Sequence, residues 1–325
     1  MTIINTRLRY NALPAKTKAT SNPAAYVLPK FGLLSGIFLD IRGSIAGTLS
    51  NLNPYGKSSI VKRVRVTMNN VDIVDITGPQ YHWLVSDFLD DYRNVPVGWE
   101  GRSAVAAGTF DISMFLPISL NSRDDYGLIF LQTDQTVVQL SVEFEADATV
   151  ATGATVTATV IPYLQTFAVP TDTANWPPLN TVHQLLGDTR PVSTTGNVDY
   201  VWPVGPLYLS VIHGLHISQA TPVDNWTAAV LRANNSDTLL DGTPGFMDMK
   251  FQLEVGRLRP LGVIPFDLMG SSGEGSFATL RDVINSARVA DIRTVITVSA
   301  ASAPLEMLTV RRLLTTIDPL RAPGK

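Results

Sequence analysis

Apolar and polar residues alternate with a period of two through most of the chain, the mark of half-buried β-strands whose successive side chains point to opposite faces. In residues 60–68, Ile60, Val64, Val66 and Met68 share one face while Arg63, Arg65 and Thr67 occupy the other. Phe110, Ile112, Met114, Leu116, Ile118 and Leu120 repeat the pattern without a fault. Further strands are predicted at 128–131, 138–144 and 156–160, and in the second half at 207–217, 247–255, 263–268, 291–298 and 305–314. Asn69-Asn70 and Asn234-Asn235 supply turns, because Asn tolerates the left-handed backbone that tight hairpins require. One segment follows the helical period instead. After Gly78 and Pro79, the residues Tyr81, Leu84, Val85, Phe88 and Tyr92 fall three or four apart, with Asp87, Asp90 and Asp91 off that stripe. A short amphipathic helix with Pro in its first turn is predicted there, covering a sandwich edge or end. Between the halves, Pro162, Pro170, Pro177, Pro178, Pro191 and Pro203 surround a small helical candidate at 181–186. Such proline density predicts an ordered but irregular connection.

Pieces of the first half recur in order in the second. Tyr26-Val27-Leu28-Pro29 returns as Tyr200-Val201-Trp202-Pro203, Asn69-Asn70-Val71-Asp72 as Asn234-Asn235-Ser236-Asp237, and Leu116-Pro117-Ile118-Ser119-Leu120 as Ile264-Pro265-Phe266-Asp267-Leu268. The offsets are 174, 165 and 148 residues, so the copies are collinear with different loop lengths. Each match is short, but three in order predict two similar β-domains. A chain of 325 residues exceeds what one hydrophobic core usually serves.

Composition sharpens this picture. Hydrophobic content is ordinary at 45%, yet charged residues make up only 16%, against about 25% in typical soluble domains. Neutral surface of this kind suits packing against other copies of the chain. The absence of cysteine removes disulfides, thiolate metal sites and cysteine nucleophiles. No apolar run reaches the roughly 18 residues that a bilayer-spanning helix needs, and the N-terminus lacks the apolar core of a secretory signal, so the chain is expected to be made soluble. A net charge of −3 argues against a global nucleic-acid-binding role. Its distribution is uneven: before Asp40 every charged side chain is positive, namely Arg7, Arg9, Lys16, Lys18 and Lys30. With Pro14, Pro23 and Pro29 among them, these residues read as an extended arm that either faces anionic lipid headgroups or an enclosed genome, or is simply solvated or clasped to a neighbouring chain.

Catalytic motifs fail one by one. Gly56-Lys57-Ser58 resembles the end of a phosphate-binding loop, but Asn51 stands where that motif needs Gly, and a strand is predicted where it needs a helix. The Gly273–Ala278 run matches a dinucleotide pattern ahead of a helical stretch at 279–287, but only about 50 residues remain for a fold built of βαβ units of roughly 30. His213 and His216, three apart on a strand, point to opposite faces. His82 and His183 have no second ligand at metal spacing. Glu143 and Glu145 share the solvated face of their strand. The Asn225-Trp226-Thr227 and Asn234-Asn235-Ser236 sequons carry no meaning without secretion.

Tandem sandwiches, a helix in a strand-to-strand excursion, a basic arm, and the phrase Gly56-Lys57 running into 60–68, Asn69-Asn70 and 71–76 together resemble the double-jelly-roll major capsid proteins of tailless icosahedral bacteriophages, tectivirus-like and corticovirus-like. The resemblance implies an all-β fold of two tandem eight-stranded jelly-roll sandwiches with short helices in loops. The expected divisions are a basic arm at 1–31, a first jelly roll at 32–163, a proline-rich linker at 164–203, a second jelly roll at 204–317 and a tail at 318–325. It implies a structural protein without catalytic residues, metal or cofactor, located in the virion shell after soluble synthesis in the host cytoplasm. Three chains would close a pseudo-hexagonal capsomer, with neighbouring capsomers, minor capsid or penton proteins and an internal lipid membrane as partners, and no sequence-specific nucleic acid. Arg7, Arg9, Lys16, Lys18 and Lys30 are the candidate contacts to membrane, interior or neighbour, and Arg311, Arg312, Arg321 and Lys325 would also lie inside or between capsomers. Two rivals differ in class. A bicupin-type enzyme needs a His-x-His pair that four histidines do not supply here. A metal-free sugar-binding protein would use Trp99, Trp176, Trp202 and Trp226 as stacking surfaces.

Overall fold

The alternation at 60–68 becomes a strand whose Val61, Val64, Val66 and Met68 are buried, and whose Arg63 and Arg65 form paired ion bridges to Asp75 and Asp72 on the wet side. The computed structural model describes residues 8–18, 25–86, 99–120, 127–172, 176–177, 179, 181–192, 195–217, 224–234, 237–256, 258–268, 283–299 and 305–316. Its strands are β1 (Leu8–Ala12), β2 (Lys16–Thr17), β3 (Tyr26–Val27), β4 (Leu33–Ala46), β5 (Val61–Met68), β6 (Val71–Ile76), β7 (Gly108–Pro117), β8 (Ile129–Phe130), β9 (Val138–Phe144), β10 (Thr155–Phe167), β11 (Thr181–Val192), β12 (Gly196–Val201), β13 (Leu207–Ile217), β14 (Trp226–Ala233), β15 (Asp237–Gly242), β16 (Val263–Asp267), β17 (Ile284–Asn285), β18 (Ile292–Val298) and β19 (Leu305–Thr316). The chain divides into two compact units, and the division falls inside β11, between Leu186 and Gly187.

Strand order, which alternation cannot reveal, defines each unit. In the first, one sheet runs β1-β10-β4-β7 and the other β3-β9-β5-β6, with the short β2 and β8 added to the first sheet and Leu185–Leu186 of β11 lying parallel to β6. In the second unit the sheets run β11-β19-β13-β16 and β12-β18-β14-β15, with β17 beside β13. Taken in chain order, both are the same eight-stranded arrangement, the double Greek key of a jelly roll.

The duplication holds at the level of single hydrogen bonds. Leu28 N–H donates to the Val138 carbonyl at 2.9 Å, and Trp202 N–H to the Ile292 carbonyl at 2.9 Å. Tyr26 stands opposite Leu140, and Tyr200 opposite Thr294. Asn69 has φ 49° and Asn234 φ 51°, the left-handed conformation expected of both turns. Each then clamps the next strand: the Asn69 side chain accepts from Val137 N–H at 2.8 Å, and that of Asn234 from Ala290 N–H at 3.0 Å. Even the bulge two pairs from each turn recurs, between Val66 and Thr67 and between Leu231 and Arg232. The third echo is different. Counting from Leu33 and Leu207, which open β4 and β13 four residues after the repeated prolines, Pro117 faces Gly36 but Pro265 faces Ile212, so the match lies on equivalent strands two residues out of step.

Several expectations need correction. The arm at 1–31 and the linker at 164–203 are not connections, because the described parts of each carry the first two long-range strands of a jelly roll, β1 and β3 in one case and β11 and β12 in the other. The helical candidate at 181–186 is the start of β11, where Val182, His183, Gln184 and Leu185 are all buried and no one-sided pattern remains to read. The strand expected at 247–255 is a helix, Pro244–Val255, capped by the Thr243 side chain and closed by Gly256 at φ 72°. After Gly78 the expected helix forms as a short turn, Gly78–Gln80, continued by a wider turn over Tyr81–Val85; its predicted continuation through Phe88 and Tyr92, with Asp87, Asp90 and Asp91, lies outside the described residues. The stretch at 279–287 shows, where described, the strand β17 and a single tight turn at Ser286–Arg288.

Candidate functional site

The basic N-terminal segment pairs with its own domain. β1 adds to the edge of β10 over five residues, from Leu8 opposite Phe167 to Ala12 opposite Tyr163, and β2 pairs with the same strand. Lys16 donates to the Ala25 carbonyl at 3.1 Å and lies 3.9 Å from the centre of the Tyr26 ring. Lys18 donates to the Glu145 carbonyl at 2.7 Å and pairs with Asp147. Lys30 donates to the Thr133 carbonyl at 2.9 Å and also to Thr136. The three lysines therefore staple the segment to the loops and strands beside it. Arg9 is exposed on β1, and Arg7 lies outside the described residues. The C-terminal Arg311 and Arg312 sit on β19, and Arg312 is buried; Arg321 and Lys325 lie outside the described residues.

All four histidines are buried. His213 points into the second jelly roll and lies 2.9 Å from both Thr309 Oγ1 and Thr294 Oγ1, and burial lowers its pKa from 6.5 to about 3, helped by the charge of Arg190. His216 points the opposite way, 5.7 Å from the Trp83 ring, with burial lowering its pKa to about 4. His183 Nδ1 lies 3.3 Å from the Pro117 carbonyl. The opposed faces read from the spacing of three are thus observed, and among the described residues no three His, Asp or Glu side chains are grouped as a metal site. The Gly273–Ala278 run lies outside the described residues. Gly56 opens a tight turn, Gly56–Ile60, with φ 66°, where an added Cβ would sit 2.2 Å from the Ser103 carbonyl oxygen, so this glycine serves close backbone packing. Trp202 and Trp226, two of the four tryptophans considered for sugar stacking, are buried.

One dense polar cluster among the described residues is not legible from spacing. The Arg259 side chain is buried, and its guanidinium donates to both oxygens of Asp224 at 2.9 and 2.8 Å, to Asp248 at 2.8 Å and to the Val263 carbonyl at 2.7 Å. Burial pushes the Asp224 carboxyl upward, but Arg259 and the Gly262 N–H together hold it below the ordinary carboxylate value. The cluster ties the helix Pro244–Val255 to the segments entering β14 and β16. Its groups satisfy one another, an arrangement suited to fixing a loop.

No protein-family model and no curated protein sequence matches the chain. Solved structures do. The STIV major capsid protein superposes with a TM-score of 0.72 at 11% identity, covering 95% of this chain and 97% of that one. PBCV-1 VP54, fitted into a reconstruction of the virophage Sputnik, gives 0.68 at 9% identity, with 95% and 94% covered. The major capsid protein P2 of bacteriophage PM2 gives 0.56 at 12% identity, with 96% and 98% covered. Likeness over nearly the full length of each chain, together with the two identical strand orders, establishes that this chain has the double-jelly-roll fold of these major capsid proteins.

Proposed function

We propose that the chain is the main building block of an icosahedral viral shell, with three copies closing a pseudo-hexagonal capsomer. The observation that carries this reading is the duplication within one chain: two jelly rolls of identical strand order let three chains present six near-equivalent units, so a threefold object fills a sixfold position. The low charge content supports extensive contact between copies, since interface cores are depleted of charge. The role is structural, and the partners are further copies of the chain and the minor proteins that close such shells. In this reading the exposed Arg9, with Arg7, faces lipid headgroups, the shell interior or a neighbour, while Lys16, Lys18 and Lys30 hold the segment in register. Negative-stain electron microscopy of purified protein, averaged without imposed symmetry, tests the proposal. Hexagonal outlines with threefold symmetry are expected, and compact monomers under all assembly conditions would overturn it.

A further inference from the structure

In the first jelly roll the strand β6 has a neighbour on both sides. Leu185 and Leu186, which belong to the same compact unit, run parallel along its outer side, with Leu185 opposite Val74 and Leu186 opposite Asp75. The Gln184 side chain adds a bond, donating to the Asp72 carbonyl at 2.6 Å. Under this cover Ile73 and Val74 of β6 and Leu185 itself are sealed from solvent. The equivalent strand of the second jelly roll, β15, ends its sheet, and among the described residues it pairs with β14 alone. Counted from the bulge that the two hairpins share, Leu239 corresponds to Ile73, Leu240 to Val74 and Asp241 to Asp75. Leu239 is 52% exposed and Leu240 only half-buried, so positions sealed in the first jelly roll stand open in the second.

The strand that covers β6 has a counterpart too. β11 corresponds to β1 and β2 at a displacement of 174 residues, and a repeated contact fixes that count: the Lys16 ammonium lies 3.9 Å from the centre of the Tyr26 ring, and the Arg190 guanidinium 4.4 Å from that of Tyr200. Leu33 and Leu207, which open β4 and β13, keep the same displacement. Gln184, Leu185 and Leu186 therefore correspond to Tyr10, Asn11 and Ala12 of β1. Among the described residues β1 pairs with β10 alone. Arg9 and Tyr10 are exposed where His183 and Gln184 are buried, and Tyr10 is 59% open.

We infer that β15 of one copy pairs in parallel with β1 of the next, Leu240 opposite Asn11 and Asp241 opposite Ala12, so that two copies form the pairing that β6 receives from its own chain. This register sets Leu239 opposite Tyr10. Residues opposite one another in a ladder share a face, so the exposed apolar side chain of each strand covers the other. Charge agrees, because β15 carries Asp237 and Asp241 and no cation, while β1 carries Arg9 and no anion. Edge strands that avoid partners place lysine or proline along the edge, and β15 has neither. Strand addition of this kind draws its affinity from the main chain and its specificity from the side chains that meet across it. Because two different edges meet, the contact is head-to-tail, and three such contacts close a ring. The inference rests on the capsomer reading and names the strands that join its copies.

The chain contains no cysteine, so engineered thiols report without background. Tyr10→Cys/Leu239→Cys and Ala12→Cys/Asp241→Cys place thiols at opposed positions of the two strands. Each double variant, and each of the single variants, is treated with a short bismaleimide and run on a denaturing gel, beside mass photometry of the wild type. All four positions are exposed, so folding is preserved. At least one double variant is expected to give covalent dimers and trimers, and the single variants none, because every junction takes one thiol from each edge. In parallel, Leu239→Lys should weaken association by about tenfold, the worth of one buried leucine side chain, with an unchanged circular dichroism spectrum. A trimeric wild type overturns the edge pairing, while leaving the capsomer reading intact, if neither pair cross-links between chains, if single variants cross-link as well as the doubles, or if Leu239→Lys associates as the wild type does. A wild type that is monomeric throughout overturns both.

Discussion

Acidification of the purified protein tests the packing of the second jelly roll through His213 and His216. An exposed imidazole has a pKa of 6.5, whereas burial lowers His213 to about 3 and His216 to about 4. The unfolded chain therefore takes up protons first as the pH falls, which drains stability from the folded state. The contribution is complete above about pH 6.5 and declines until the folded pKa values are passed. Linkage gives a loss of about 2 kcal/mol per histidine at pH 5 and about 3 kcal/mol at pH 4. The two together approach the whole stability of an ordinary domain, about 5–15 kcal/mol. Carboxylates also titrate in this range, so a non-titrating variant isolates the imidazole. His213→Gln retains a hydrogen-bonding group for Thr294 or Thr309. Urea midpoints followed by tryptophan fluorescence at pH 7.5 and pH 5.0 should show the wild type losing about 2 kcal/mol more than His213→Gln between the two conditions. Equal losses would mean that His213 is solvated or already charged at neutral pH, and the reasoning would fail.

Four other substitutions probe the frame. Asn69→Ala and Asn234→Ala each place a β-carbon in left-handed backbone and remove a clamp to the next strand, so each should cost about 1–3 kcal/mol by chemical denaturation, and Gly at either site should recover only the backbone part. Gly43→Ala would set its Cβ 1.9 Å from the Thr157 carbonyl oxygen and 2.7 Å from the Phe110 ring; because the nearer obstacle is backbone, a loss of about 3 kcal/mol or more and poor soluble yield are expected, and a wild-type melting profile would contradict this. Arg259→Lys cannot satisfy Asp224 and Asp248 together, and a loss of about 3–5 kcal/mol is expected, accompanied by faster proteolysis of the 256–262 loop.

Where one face of a strand is core and the other is wet, as at 138–144, the alternation marks the strand residue for residue; the strands at 207–217 and 305–314 are located to within two residues although most of their side chains are buried on both faces. The errors have identifiable causes. Met247, Met249, Phe251, Leu253 and Val255 alternate with polar residues as well as any strand, yet this segment is a helix with two apolar stripes, one covered and one bare. Its Thr-Pro opening and Gly256 ending are the helix signals, and the alternation masks them. β1, β3, β11 and β12 were hidden because they are short, rich in proline nearby or covered on both sides, so their identity comes from pairing partners far away in sequence. The basic residues were legible as a cluster but not as staples, since Lys18 finds its partners about 130 residues away. No spacing rule could have joined Arg259 to Asp224.

The two-residue offset between Pro117 and Pro265 shows what divergence this architecture tolerates. A strand displaced by one position would turn every inward side chain to the outside, whereas a displacement of two returns each residue type to its former side. Drift of that strand is therefore quantised in even steps, while the sheet carrying Asn69 and Asn234 has admitted none, its turns acting as fixed origins from which both halves are counted. Variation between the two halves is thus concentrated in the strands β7 and β16 and in the loop lengths, while the Asn69 and Asn234 turns keep the same register with their partner strands.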